Sequence, residues 1–399
     1  MMVAMAIARL SYAKGNDPFY AALRARVREY LAAPGRTRWG SRAMRRKSLA
    51  LIALFVALGA AVYRGRLSGG PFVAALVAWQ FVQFLMTIGI AHDAAHGAYS
   101  RSARINARIV KIFDFFGIDA KHWIETHVDS HHAMPNVPLR DSAIESFSMV
   151  RLHPRTRASP LSRHQHRYMF LVYSMVTLFQ VYLLEPVAFA QNVVGFERKP
   201  GWGKTLATML AKKAFVLGYS LILPLVVLQQ NWYLIVGGWW LGHMACGLAI
   251  GVIFQTTHLH EGTSFVEPDE KGRLPHSFAT HILRTTSEFS TDSPFVTWIC
   301  GGLNLHVTHH LFPRVSQVHL PALSRIVRRT AHEYGVPYTA YTFLGALRSH
   351  LRMLKRLGSL PAMASPSLVS RPPRDPGVIA RASGSGPPAR SALPAGAHR

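Results

Sequence analysis

Cysteine is almost missing from this 399-residue chain, which carries only Cys246 and Cys300. Two thiols are too few for a disulfide framework or a cysteine-based metal site, so both read as buried free thiols. Acid is scarce as well: 19 Asp and Glu stand against 45 Lys and Arg, a net charge of +26. An excess of that size can mark a nucleic-acid binder, but no basic module interleaved with aromatics accompanies it. Instead the charge brackets the apolar part of the chain. Arg24, Arg26, Arg28, Arg36, Arg38, Arg42, Arg45, Arg46 and Lys47 precede the first apolar run, and Arg325, Arg328 and Arg329 follow the last. That distribution fits the positive-inside rule and attraction to anionic lipid, not nucleic acid. Also absent is an early apolar run of the kind a cleaved signal peptide needs, since the first begins near Leu49. Insertion is therefore expected through the chain's own spans.

What the chain has is long uncharged stretches. Pro71 to Ala91 and Trp232 to Phe254 are examples, and about 20 residues at roughly 1.5 Å each cross the ~30 Å core of a bilayer. Leu49 to Tyr63 and Pro71 to Ala91 form a candidate hairpin turning at Gly69-Gly70-Pro71. Tyr168 to Ala190, Ala214 to Leu228 and Trp232 to Phe254 are the further apolar stretches. Residues 1–47 read as a basic, amphipathic, cytosolic lead-in, with Phe19 to Leu31 repeating apolar residues at three- and four-residue steps as an interfacial helix would. Residues 48–360 form the main domain. Residues 361–399, rich in Pro, Ala, Ser, Gly and Arg, read as a disordered tail.

Histidine is in excess, at 21 residues. Three clusters organise it: His92-Asp93-Ala94-Ala95-His96, His127-Val128-Asp129-Ser130-His131-His132, and His306-Val307-Thr308-His309-His310. On a helix, residues three or four apart share a face. His92 is thus expected to project with His96, His127 with His131, and His306 with both His309 and His310. His132 points roughly 100° away from His131, so that adjacent pair can serve two neighbouring ions. Eight imidazoles exceed the three or four protein ligands of one zinc and suit two ions that each keep an open position. Imidazole binds iron, zinc, copper and nickel alike, so residue type does not name the metal.

For the clusters to share one centre they must lie on one side of the membrane. An even number of spans must then separate the second cluster from the third, yet three apolar stretches lie between them. Tyr168 to Ala190 carries Glu185 and a basic lead-in, and a charge at mid-bilayer costs at least about 2.5 kcal/mol. That stretch is expected to lie in the interface. The expected fold is an all-α integral membrane protein of four transmembrane helices in two hairpins, with a cytosolic helical cap holding the histidine site. Both termini and all clusters are then cytosolic, in what reads as a bacterial cytoplasmic membrane.

The three clusters, in this order and placed after hydrophobic pairs, resemble the histidine boxes of the membrane fatty acid desaturase family. So do Trp123 before His127, Asn136 after the second box, Phe254-Gln255-Thr256-Thr257-His258-Leu259-His260-Glu261, Gly301-Gly302-Leu303-Asn304, and Leu311-Phe312-Pro313. The resemblance covers roughly residues 17–358 and is nearest to bacterial acyl-CoA or acyl-lipid desaturases and to front-end desaturases without a fused haem domain. It implies a ninth ligand, His258, with His260 as its rival but more readily a neighbouring non-ligand; His243, about four turns before His258, reads as structural. It further implies two ferrous ions, dioxygen as co-substrate, a fatty acyl-CoA or acyl-lipid substrate, and a ferredoxin-like or haem-carrying donor with its reductase. Hydroxylation, epoxidation or ketolation on the same scaffold is the neighbouring chemistry, and a non-catalytic metal- or haem-binding membrane protein the distant one. Asp93, Asp129, Glu261 and Asn304 are expected to orient the ligands, with His281 a further candidate. Two departures stand out: the acidic pair after the second box is reduced to Asp141 and a more distant Glu145, and the third box opens on His306 where many front-end members carry Gln.

Overall fold

The computed structural model describes residues 10–138, 140–141, 144, 150–191 and 201–360. Five helices among them are long and apolar enough to cross a membrane: α1 (Arg42–Tyr63), α2 (Gly69–Ala95), α3 (Ser162–Ala190), α4 (Trp202–Val227) and α5 (Trp232–His258). Ser41 caps α1 by accepting from the Ala43 backbone N–H. Helices α3 and α4 each contain one π-turn, Gln180–Leu184 and Gly218–Ile222. Each lies just ahead of a proline, Pro186 and Pro224. A proline lacks the N–H for the residue four back and its ring crowds that carbonyl, so the helix widens there.

Helix α5 is the centre of the membrane part, and its glycines let two neighbours close in. A Cβ at Gly238 or Gly242 would meet Leu76 or Gln80 of α2 at 3.0 and 2.5 Å. One at Gly247 would sit 2.5 Å from the Ser174 carbonyl of α3, and one at Gly251 would strike Tyr173 at 2.6 Å. Small residues at a helix contact bring backbones together in this way.

The contacts orient these helices. α2 and α5 end side by side at the histidines. At their other ends, Gln230 Nε2 donates to the Leu67 carbonyl at 2.7 Å, and Leu228 packs with Val62. Helix α3 starts at the histidine end, where Ser162 lies against Gly358 and Gln165 Nε2 donates to the Leu354 carbonyl at 2.8 Å. It then packs lengthwise on α5, Tyr173 against Gly251 and Thr177 against His243. The expectation that this stretch lies flat in the interface is therefore corrected. Its reason, the lone charge of Glu185, also fails: Glu185 is buried and accepts from Lys213 of α4 at 2.6 Å.

Beyond the histidine end lies a helical cap. Pro18–Ala32, begun by Asp17 accepting from the Tyr20 N–H, buries Phe19, Leu23 and Val27 against Ile282, Leu311, Leu323 and Val327. Burying each such side chain stabilises by about 1.5–3 kcal/mol. Its apolar stripe serves the protein core, which corrects the expected interfacial helix. A parallel bridge of Glu288–Phe289 with Ala340–Tyr341 completes the cap. The Pro361 to Arg399 tail and Glu145 lie outside the described residues.

Candidate metal centre

The first box sits where α2 passes through a π-turn, Thr87–Ala91, into His92–Ala95. The second follows a short turn, Ala120–Trp123, capped by Asp119, which accepts from the Lys121 and His122 N–H groups. It runs through a second π-turn, Ile124–His131, closed by the His132 N–H on the His127 carbonyl at 2.9 Å. The third is the His306–Leu311 helix. Buried Glu288 holds it, accepting from the Thr308 N–H at 2.9 Å and its hydroxyl at 2.6 Å. Ser324 and Tyr338 also donate to that carboxylate, so the buried charge is well matched.

These elements bring the nine histidines into two groups. One is His92, His96, His127, His132 and His309; the other is His131, His258, His306 and His310. Within each group one nitrogen from each ring lies within 4.8 Å of those of the others. Pairs approach closely: His92 and His127 Nε2 at 3.2 Å, His309 and His132 at 3.0 Å, His306 and His258 at 2.8 Å. His131 and His132 fall to different groups, as their angular offset implied. His127 and His131 project together as expected, their rings stacked at 5.4 Å. The i→i+5 geometry of the π-turn nevertheless brings His132 closer to His127, 3.2 Å between Nε2 atoms, and His127 groups with His132 and not with His131. His309 likewise leaves His306 and His310 for the other group.

The donor set suits a cation. His96 Nε2, His131 Nε2 and both ring nitrogens of His310 are buried without a hydrogen-bond partner, a deficit of about 1–3 kcal/mol each if left so. Burial lowers the His96 and His306 pKa values to about 3. Burial and then adjacent histidines push His127, His132, His309 and His310 well down. Lowered in this way, these six rings favour the neutral form, the one that binds metal.

Outer contacts fix the rings, though not through the residues expected. Asp141 Oδ1 accepts from His131 Nδ1 at 2.8 Å, both buried. Asp141 in turn accepts from the Asn136 N–H at 2.7 Å. The Leu303 carbonyl lies 3.1 Å from His306 Nδ1, and Trp123 stacks on His127 at 4.3 Å. Asn136 has φ +61°, a left-handed conformation that asparagine tolerates, and its amide reaches the His258 and Thr285 carbonyls at 3.2 Å. By contrast, Asp93 points away from the rings and accepts from Ser316 and Gln317. Asp129 is exposed, Glu261 pairs with Arg352, and Asn304 donates to Phe289 and Thr297. None of these four shows a hydrogen bond to a ring of either group among the described residues. His281 donates to the Pro135 carbonyl at 2.8 Å, and His260 lies by Tyr341 outside both groups.

Below the groups a cavity of about 360 Å³ runs between α2, α3 and α5. His92, His127 and His131 form its head, with Ile88, Phe84, Phe116, Trp123 and Phe254 as apolar walls. It offers room for an elongated apolar molecule directly beneath the histidines.

Residues 67–342 match the fatty acid desaturase family model. This chain belongs to the fatty acid desaturase family. It is 32% identical over 354 residues to the sn-1 linoleoyl-lipid 6-desaturase of Synechocystis sp., covering 85% of this chain and 95% of that one. It is 30% identical to an enzyme of the same name from Arthrospira platensis, over 68% and 74% of the two chains. An acyl-lipid (8-3)-desaturase of Physcomitrium patens is 29% identical, over 68% and 57%. The desaturase is thus an oxidoreductase acting on fatty acyl chains, a mostly helical membrane protein whose clustered histidines can hold metal.

Proposed function

We propose that this desaturase binds two iron ions, one in each histidine group, and inserts a double bond into an already unsaturated acyl chain of a membrane lipid. The observation that carries this reading is two groups of convergent, buried imidazoles at the head of a mostly apolar cavity. His92, His96, His127, His132 and His309 would hold one ion, and His131, His258, His306 and His310 the other. When bound, the iron pair supplies the oxidising power that no side-chain acid or base has for an unactivated methylene. The chain's own residues do the rest. The aromatic and aliphatic walls exclude water and hold the substrate carbons beneath the histidines. Asp141 and Asn136 keep the rings in place. Lipid-bound substrate is supported by the printed activities of the relatives.

Desaturation takes two hydrogens from adjacent carbons, while reducing dioxygen to two waters needs four electrons and four protons. The substrate supplies half of each, so the remaining two electrons come from a partner. A polar cleft of about 610 Å³, lined by Arg38, Trp39, Arg101 and Arg314, opens onto His96 and His132. It would suit an acidic ferredoxin-like or haem-carrying donor.

The packing also supports four crossings. Between Ser162 at the histidine end and Leu228 at the opposite end the chain makes one net crossing, shared by α3 and α4. With α1, α2 and α5 this would give four, the site and Pro18–Ala32 then sharing one face, which we assign to the cytosol of a bacterial cell. Expression in a lipid-producing host, with mass spectrometry of the lipids and metal analysis of the purified protein, tests the whole reading. A new double bond and about two irons per chain are expected; hydroxylated lipid alone, or zinc alone, overturns it.

A further inference from the structure

Among its apolar walls the lower part of the cavity carries several polar side chains, which a saturated hydrocarbon chain does not need. Gln80 and Gln83 of α2 line it, with Thr177 and Gln180 of α3 and His243 of α5. Gln80 and Gln83 are only 5% and 9% exposed, and the Nε2 group of each is buried with no hydrogen-bond partner. The Gln83 carbonyl oxygen accepts from Tyr219 at 3.4 Å, so its amide nitrogen is the end left to face the cavity. A free amide N–H in an apolar span is costly unless something in the cavity accepts it.

Gln83 lies nine residues before His92, about 13 Å along the helix. A lipid headgroup stays at the polar face, so what reaches these amides is the acyl chain beyond the reacting carbons. The acceptor an unsaturated chain offers there is the π-cloud of a cis double bond, which takes N–H donors weakly. We infer that Gln80 and Gln83 form a recognition subsite for a double bond already present in the distal half of the substrate chain. The inference rests on the acyl-lipid desaturase reading above and goes beyond it by naming the residues that select for prior unsaturation.

The test is a competition between two isotopically distinguished lipids of equal chain length, one with a distal cis double bond and one without. Both are offered to purified enzyme in the same vesicles. Wild-type enzyme is expected to favour the unsaturated chain. In the Gln80→Met/Gln83→Met variant, which keeps the side-chain length, that preference should fall about fivefold to tenfold. The fall should come from turnover of the unsaturated chain slowing more than that of the other. Because both substrates meet the same preparation, partial misfolding lowers both rates and leaves the ratio intact. An unchanged ratio, or no wild-type preference, overturns the subsite. A third lipid carries a distal hydroxyl in place of the double bond; a stronger glutamine-dependent preference for it reassigns the subsite to an oxygen acceptor and overturns the double-bond inference. Wild-type enzyme that desaturates none of them refutes the underlying function instead.

Discussion

The two histidine groups are built to different plans. The group of five is joined to the membrane part and to the surface: His92 and His127 head the acyl cavity, while His96 and His132 line the arginine cleft. The approach to its second box is pinned by charges packed among the spans. Asp119 accepts from Lys212 at 2.6 Å, and its backbone N–H meets Glu185, the partner of Lys213. The group of four draws His131, His258, His306 and His310 together, and cap residues fix it: Asp141 on His131, the Leu303 carbonyl by His306, and Glu288 under the third box. The group with spare donors is the more open one, and the group without them, of which His131 alone lines the cavity among the described residues, is locked from the cap.

Removing donors tests that contrast most severely. His310→Ala leaves three donors in the locked group. Metal content should fall by about half and activity by at least about a thousandfold, because the cofactor carries the chemistry. His96→Ala leaves four donors in the open group, and metal analysis should find most of its ion retained. Equal metal loss in both variants would break the distinction.

The span-side anchor comes next. Lys213→Met strands a buried carboxylate and should cost about 3–5 kcal/mol in denaturant unfolding, and pairing it with Glu185→Leu should recover most of that. No recovery in the double variant would show that the pair does more than neutralise itself. A smaller effect is expected from Asp141→Asn. Loss of an outer partner typically costs 10- to 100-fold in metal affinity or activity, and metal titration should find it in one ion, not both.

Acidification gives the mildest contrast. Burial lowers His153, His281 and His350 to about 4, and His96 and His306 to about 3. A depressed histidine stabilises the fold fully above its unfolded pKa near 6.5, and that contribution is lost as pH falls toward the folded value. Metal-free protein should therefore lose roughly 1–2 kcal/mol per such histidine between pH 7 and 5. Metal-loaded protein should lose at least as much, because its bound rings take up no proton in the fold while the unfolded chain still does, as read by thermal melts.

Much of the site was legible in the sequence because histidines three to five apart must meet on one helical turn. The boxes, the division of His131 from His132 and the apolar helices all follow from that local geometry. His258 was visible only through family resemblance, since 48 residues separate it from His306. Asp141 carried a local hint, an acid ten residues after His131, but no periodicity links the two. Asp93 misled because it adjoins His92 in the chain and so points to another side of the helix. Glu185 misled for a related reason: hydropathy reads a charge as unpaired, and Lys213 lies 28 residues away.

By itself, then, the sequence determined the chemistry available: abundant imidazole, apolar stretches to carry it, and almost no thiol. Those follow from composition and from spacings shorter than two helical turns. Only the tertiary structure decided how nine histidines divide into five and four, which carboxylate orients one of them, and that glutamines line the cavity beneath. Such choices depend on π-turns and on contacts between residues tens to hundreds of positions apart, where packing, not local periodicity, sets which side chains meet.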